Sequence, residues 1–313
     1  MSVSHHAQPT VAGKLVMDAS RRAEDSSVDE RLNRVASMAN QLAYGSKDAA
    51  TYIDGAPHIK HAVLRELYGK LVLEVFDAAS KHGRPPRVAD LGAGEGSVTL
   101  PFLELGAHVV AVDISSKQLN TLREKCRKHE DKLDVRCQDI HEFLSNENDK
   151  YDIIAVNSFL HHIPDYLSLI ADATSMLTPH GLFFSFQDPL RYDTVGIPTR
   201  IFTELGYFFW RLSKNDVMGG IRRRIRRSRG IYLEGSVQDN AEYHVVRNGL
   251  DQKAIETVFG QRGFNCRVIP YYSTHNSLFQ PIGTALNLEN HFAVVAQRSQ
   301  QTTPESDKAT SLL

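Results

Sequence analysis

Cysteine is scarce in this chain of 313 residues, which holds three: Cys126, Cys137 and Cys266. An odd number at wide spacing matches neither a disulfide framework nor a set of metal ligands. Reduced thiols in a cytoplasmic protein, with no metal, are the expectation. No apolar run reaches the roughly eighteen residues that a membrane-crossing helix needs. The opening residues show no apolar stretch after a basic one, so a secretory leader is not expected. An excess of one charge is also missing. The 36 basic residues stand against 37 acidic ones, so the chain as a whole has no footprint for nucleic acid or an anionic surface. Internal repeats are absent.

What is present is a globular pattern, with 42% hydrophobic residues and so enough for a sizeable core. Residues 1–25 are small and polar and are expected to be flexible. A helix is predicted from Ser27 as its cap, with Leu32, Val35, Met38 and Leu42 at helical spacing. A second is predicted within "HIKHAVLRELYGKLVLEVFDAASKHG". Short apolar runs then alternate with helical stretches: "RVADL", "HVVAVD", "DVRCQ", "YDIIAVN" and "GLFFSF" read as strands. The helices between them are "SSKQLNTLREKCRKHE" and "YLSLIADATSMLT". Such alternation predicts a parallel sheet covered on both faces. After Pro189 an amphipathic helix is expected in "IPTRIFTELGYFFWRL", with Phe202, Leu205, Phe209 and Leu212 on one stripe. A helix near residues 252–260 and strands in "FNCRVIPYY" and "HFAVVAQ" close the pattern. The polar end is expected to be disordered.

One stretch carries chemistry. "VADLGAGEGS" places Gly92, Gly94 and Gly96 directly after a strand. Glycine clusters mark places where something comes close to the backbone. The bend is expected to aim free backbone N–H groups at a ligand, with a helix beginning near residues 95–97 behind it. The next strand ends in Asp113, 21 positions after Gly92, where an acid can accept both hydroxyls of a ribose. The spacing G-x-G-x-G departs from the G-x-G-x-x-G of dinucleotide pyrophosphate loops, which counts against a nicotinamide-dependent oxidoreductase.

"VADLGAGEGSV" resembles the first motif of class I S-adenosylmethionine-dependent methyltransferases. "VVAVDIS" is similar to their second, "CQDIHEF" to their third and "YDIIAVNSFLHHIPD" to their fourth, in the family's order. The resemblance covers about residues 87–188 and the last two strands. It implies a Rossmann-like α/β fold: a seven-stranded, mostly parallel sheet with helices on both faces, an antiparallel last strand and a helical insertion after strand five. It implies S-adenosyl-L-methionine as cofactor. Gly92, Gly94 and Gly96 would shape the methionine pocket, and Asp90 would help hold the amino group through the loop. Asp113 would bind the ribose, and Ile114 would pack on the adenine. Asp139 would accept from the adenine amino group, with Ile140 beside the ring. Asn157 would lie near the methionine part, and Tyr52 would cover the cofactor, with His58 lining the site. The implied organisation is a flexible stretch 1–25, covering helices 26–83, a cofactor-binding core 84–189, a substrate cap 190–250, the last helix and strands 251–298, and a tail 299–313.

Methyl transfer needs a base only when the acceptor must lose a proton. His161 and His162 are the candidates, since imidazole titrates near neutral pH; Tyr243 and His244 are weaker ones. The aromatic insertion suits an apolar small-molecule acceptor, such as a metabolite or natural product of secondary metabolism. The arginines between Arg222 and Arg229 suit an anionic partner: a phosphate, a carrier-bound substrate or weak contact with an anionic surface. A nucleic-acid methyltransferase is disfavoured, because "NSFL" stands where amino-adenine enzymes usually carry N-P-P-Y. A cofactor-binding cyclase of the same fold is a further alternative.

Overall fold

The computed structural model describes residues 56–81, 83–213 and 248–299. The chain enters through a four-residue helix, α1 (Pro57–Lys60), and a long one, α2 (Ala62–Ser80), joined at the extended His61. The alternating section follows: β1 (Arg87–Leu91), α3 (Thr99–Glu104), β2 (His108–Asp113), α4 (Ser116–Lys125), β3 (Leu133–Cys137), α5 (Ile140–Asn146), β4 (Tyr151–Asn157), α6 (Tyr166–Ser175) and β5 (Leu177–Pro189). Then come α7 (Ile197–Ser213), α8 (Gln252–Gln261), β6 (Phe264–Tyr271), α9 (Phe279–Ala285) and β7 (His291–Arg298).

The strands form one sheet of seven in the order β3-β2-β1-β4-β5-β7-β6. Six strands run parallel, and β7 lies antiparallel between β5 and β6. The predicted strands are all present; β3 begins one residue early and β5 runs longer than "GLFFSF". The central strands are apolar on both faces, and successive side chains serve opposite cores. On β4, Ile153 and Ala155 join the layer under α2, α3 and α4, while Ile154 and Val156 join the layer under α5, α6 and α8. On β5, Phe184 and Phe186 face the first layer and Phe183 the second. Chain order reverses between β1 and β4, which opens a crevice at their carboxyl ends.

The insertion after β5 leaves and returns at one place: Leu190 bridges Leu250, and Leu250 N–H donates to Pro189 O. Within it, α7 runs against its predicted orientation. Phe202 faces inward onto Tyr272 and Phe279, as expected. Leu205, Phe209 and Leu212, expected on the same stripe, are 47%, 50% and 44% exposed. Towards α7, α9 presents a single ring, Phe279, over Phe202 and close against Gly206, and its other buried residues are polar or small. Gln280 is buried and bonds Tyr272 O and Thr274 N–H, and Gly283 lies so close to the Tyr272 ring that a Cβ would overlap it. Beside such a neighbour, α7 turns Thr199, Phe202 and Gly206 inward and sets Trp210, half-buried, against His275, while Ile197, Ile201, Leu205, Phe208, Phe209 and Leu212 lie exposed. Ile282 of α9 and its flanking Leu278 and Leu286 also point outward.

No helix among the described residues is long and apolar enough to cross a membrane. The predicted helix from Ser27, Tyr52, the arginines from Arg222 to Arg229, Tyr243, His244 and the polar tail lie outside the described residues.

Phe184→Ala, which empties the centre of the first layer, is expected to cost about 3–5 kcal/mol. Leu205→Ser and Ile282→Ser, on the outward faces, are expected to change stability by less than about 0.5 kcal/mol. Urea titration at unchanged slope measures both. A loss comparable to Phe184→Ala at either outward position would contradict the orientation.

Candidate active site

The site begins at the bend after β1. Gly92, Gly94 and Gly96 all have positive φ, at 74°, 53° and 92°, a region that L side chains rarely enter. At Gly92 a Cβ would stand 2.4 Å from the Phe159 ring, so the chain needs glycine there for packing. Above Gly94 the nearest side-chain atom to a would-be Cβ is Gln118 Oε1 at 3.4 Å, which leaves the approach to that backbone clear.

The expectation of free amides in this bend is corrected at four of them. Gly92 and Ala93 N–H both donate to Val112 O at 2.9 and 3.0 Å, and Gly96 N–H donates to Ala93 O at 2.9 Å. Gly94 N–H donates to the Asp113 carboxylate at 2.9 Å. These amides fasten the bend to the end of β2, so its glycines serve close approach and not anion capture. The helix also starts later than predicted, at Thr99, because the positive φ of Gly96 is not helical.

Asp113 closes the bend from the other side. Its Oδ2 accepts from Gly94 and its Oδ1 from Ser115 N–H at 2.7 Å. Each oxygen keeps a lone pair for a further donor. Ile114 follows with 73% exposure, an apolar platform at the mouth of the crevice. Asp139 Oδ1 caps α5 by accepting from His141 and Glu142 N–H. Ile140 is buried in the second core layer.

Asp90, in the floor beneath the glycines, is completely buried. Its Oδ2 accepts from Thr99 Oγ1 at 2.6 Å and its Oδ1 has no partner. Burial first, then the nearby Asp113 charge, pushes its carboxyl up to about 7, against the pull of the Thr99 hydrogen bond.

Asn157 ends β4 and is also buried. Its Nδ2 donates to Ser97 Oγ at 3.0 Å and to His58 Nε2 at 3.2 Å, while Oδ1 has no partner. Burial lowers His58 to about 4, so it stays neutral, and its free Nδ1 carries the proton. The α1 segment therefore meets the glycine bend through Asn157.

Beyond β4 the chain turns through Leu160–His162. His161 Nδ1 lies 2.8 Å from Asp188 Oδ1, which also accepts the His161 backbone N–H at 3.2 Å. Asp188 is completely buried at the end of β5, and its Oδ2 has no partner. The His162 ring lies 4.1 Å from that of His161, centroid to centroid. His291, at the start of β7, is pushed down to about 3 by burial and by the charges of His161 and His275. Two non-glycine residues here hold positive φ, Ser158 at 53° and Gln187 at 68°. Such strain persists only where surrounding structure enforces it. Tyr271 Oη accepts the Gln187 N–H, and Gln187 Nε2 donates to Ser273 Oγ.

The fold thus brings Asp90, the glycines, Asp113, Ile114, Asn157, His161 and His162 to one carboxyl edge, with Asp139 at the adjoining strand end. Sequence reasoning passed over Asp188, although its signal, an acid ending an apolar strand in "FSFQDP", is the one that marked Asp113. Ser97 carried no signal, because a serine in a turn is ordinary.

Residues 88–181 match a family model described as a methyltransferase domain. The ubiquinone biosynthesis O-methyltransferase of Actinobacillus pleuropneumoniae serotype 7 (strain AP76) is 32% identical over 104 residues, covering 32% of this chain and 44% of that protein. The protein of the same name in Aromatoleum aromaticum is 32% identical over 100 residues, covering 32% of this chain and 43% of that one. The chain therefore spans less than half the length of these curated relatives. Among solved structures, the carbon methyltransferase CurJ superposes with a TM-score of 0.52 at 18% identity, covering 94% of this chain and 72% of that one, a likeness of fold. The four motifs thus lie on one sheet edge, and residues 88–181 of this chain are similar to a methyltransferase domain.

Proposed function

We propose that this protein methylates a small molecule, with S-adenosylmethionine held in the crevice between Gly94 and Asp113. The observation that carries the reading is the Asp113 carboxylate, clasped to Gly94 and Ser115 with lone pairs to spare, beside the exposed Ile114. The residues present fit an adenosyl amino acid. An open backbone lies above Gly94, and the acceptor atoms Asp90 Oδ1 and Asn157 Oδ1 are buried without partners. When bound, the cofactor supplies a methyl group on a sulfonium.

The chain's own residues do the rest. Asp113 holds the ribose hydroxyls, and Ile114 packs under the adenine. Asp139 keeps one oxygen for the adenine amino group, with Ile140 anchoring that turn from the core. Gly92, Gly94 and Gly96 let the methionine part lie on the backbone; Asp90 balances its ammonium through the loop, and Asn157 borders it. Tyr52 is assigned the role of a cover. Alignment of acceptor and methyl, with water excluded, contributes up to about 7–11 kcal/mol. The acceptor is a small molecule, and the names of the relatives favour an O-methylated aromatic of lipid-quinone type over a secondary metabolite. Residues 190–250 form the substrate cap in this reading.

Calorimetry on the wild-type protein should show saturable binding of S-adenosylhomocysteine. Asp113→Ala and Gly94→Leu should each weaken it at least tenfold, about 1.4 kcal/mol. Wild-type protein that ignores both S-adenosylhomocysteine and S-adenosylmethionine would end the reading. Incubation of a host extract with protein and cofactor should then add one methyl to some compound by accurate mass.

Asp90 makes binding pH-dependent. Raised to about 7, it is protonated in the free protein below that pH. A cation placed nearby favours the carboxylate. Binding of S-adenosylmethionine at pH 6 should therefore release a proton, and affinity should rise with pH up to about 7. Calorimetry in buffers of different ionisation enthalpy reads the proton count. Asp90→Asn should abolish the release; wild-type protein that releases none at pH 6 would remove Asp90 from the site.

A further inference from the structure

A helix that shows a whole stripe of large apolar residues to solvent has a face that something else covers. On α7, Ile197, Ile201, Leu205, Phe208 and Leu212 follow one another at helical spacing, so they line one side. They are from 43% to 70% exposed. The 17 residues of α7 make the stripe about 25 Å long. On the neighbouring helix, Ile282 and its flanking Leu278 and Leu286 repeat every fourth position and are exposed as well. Both helices rest on one residue, Tyr272: α7 through Phe202 and α9 through Gly283. Both stripes point away from it. The Phe279 ring closes the seam between the helices against Phe202 and Phe209, so the stripes form one outer surface.

The charge within reach of this surface is basic. Residues 276–288 include no charged side chain, and α7 carries Arg200, Glu204 and Arg211. The arginines between Arg222 and Arg229 begin nine positions after Ser213, where α7 ends. They lie outside the described residues, and their place in the sequence puts them within about 30 Å of chain from the helix. A second copy docked through the same face would set one arginine run against another, because a two-fold interface matches a patch with itself. A bilayer with anionic headgroups meets both features, with acyl chains for the stripes and phosphates for the arginines. No helix among the described residues is long and apolar enough to cross a membrane, so the fit is to the plane of the interface.

We propose that the outer surface of α7 and α9 docks on an anionic lipid bilayer. In this arrangement α7 lies along the interface, with its stripe at the boundary of headgroups and acyl chains. The insertion hangs from the end of β5 at Leu190, so a bilayer on its outer surface stands at the carboxyl-edge end of the sheet. An apolar acceptor dissolved in lipid then has a short way to the site. The inference does not depend on the methyl-transfer reading above, because docking needs neither cofactor nor acceptor.

The test is cosedimentation of the full chain, without cofactor, with two kinds of vesicle: phosphatidylcholine mixed with phosphatidylglycerol at about 7:3, and phosphatidylcholine alone. Wild type should bind the mixed vesicles at least about tenfold more tightly than the neutral ones. Two double variants, Ile201→Ser with Leu205→Ser and Leu278→Ser with Ile282→Ser, should each weaken that binding at least about tenfold at an unchanged thermal midpoint. The chain's one tryptophan, Trp210, lies on α7 against His275. Its emission in bound wild type should be quenched by lipids brominated on their acyl chains. Four results would overturn the proposal: wild type that stays in solution, equal binding to both vesicles, either double variant binding as wild type does, or bound protein whose Trp210 is unquenched. Light scattering that shows a wild-type dimer, dispersed by Leu205→Ser, would give the surface to a second copy and also overturn it. The quenching of wild type decides even where a variant folds poorly.

Discussion

The hydrogen bond from Gly94 N–H to the Asp113 carboxylate ties together everything at this site. It joins the exits of the first two strands in the sheet, and with the paired bonds to Val112 O it leaves the bend no freedom to close over itself. The consequence is a bend in which the amides of Gly92, Ala93, Gly94 and Gly96 are spent on holding shape. Recognition of a ligand then falls to carboxylate lone pairs, an exposed isoleucine and bare backbone. That division suits a neutral ribose and a flat ring better than a phosphate, which would demand the amides themselves.

The second constraint is burial of charge along the same edge. Asp90, Asn157, Asp188, His58 and His291 are polar groups set among the ends of apolar strands. Each is partnered on one side and unpaired, or held neutral, on the other. Such half-satisfied groups would be costly in a core, and their grouping at one edge of the sheet marks the place where bound molecules complete them. Asp90 and Asn157 lie toward the glycine bend, whereas Asp188 and His161 lie toward β5 and the insertion.

The sheet was largely legible in the sequence. "RVADL", "HVVAVD" and "YDIIAVN" coincide with β1, β2 and β4, because apolar runs bounded by Asp, Asn or Gly have one comfortable home in a parallel sheet. The identity of Asp113 as the closing acid was legible for the same reason. Four features were not. The amides of the bend looked free because only tertiary structure shows Val112 O and Asp113 reaching them. The α9 segment, "FQPIGTA", escaped notice because its inward face is Gln280 and Gly283, which reads as no face at all. The stripe on α7 was assigned inward by the usual rule, and that rule fails where the neighbouring helix offers only one ring, Phe279, to pack against. Asp188 was passed over because it stands at a strand end outside the matched motifs, and its partner His161 lies 27 residues away.

The most direct test of the account is a crystal structure of the protein with S-adenosylhomocysteine. The account predicts both ribose hydroxyls on the Asp113 carboxylate, the adenine against Ile114 and the amino acid part over Gly94, with the bonds from Gly92 and Ala93 to Val112 intact. A ligand bound elsewhere, or bound here with Asp113 turned away from the ribose, would contradict it.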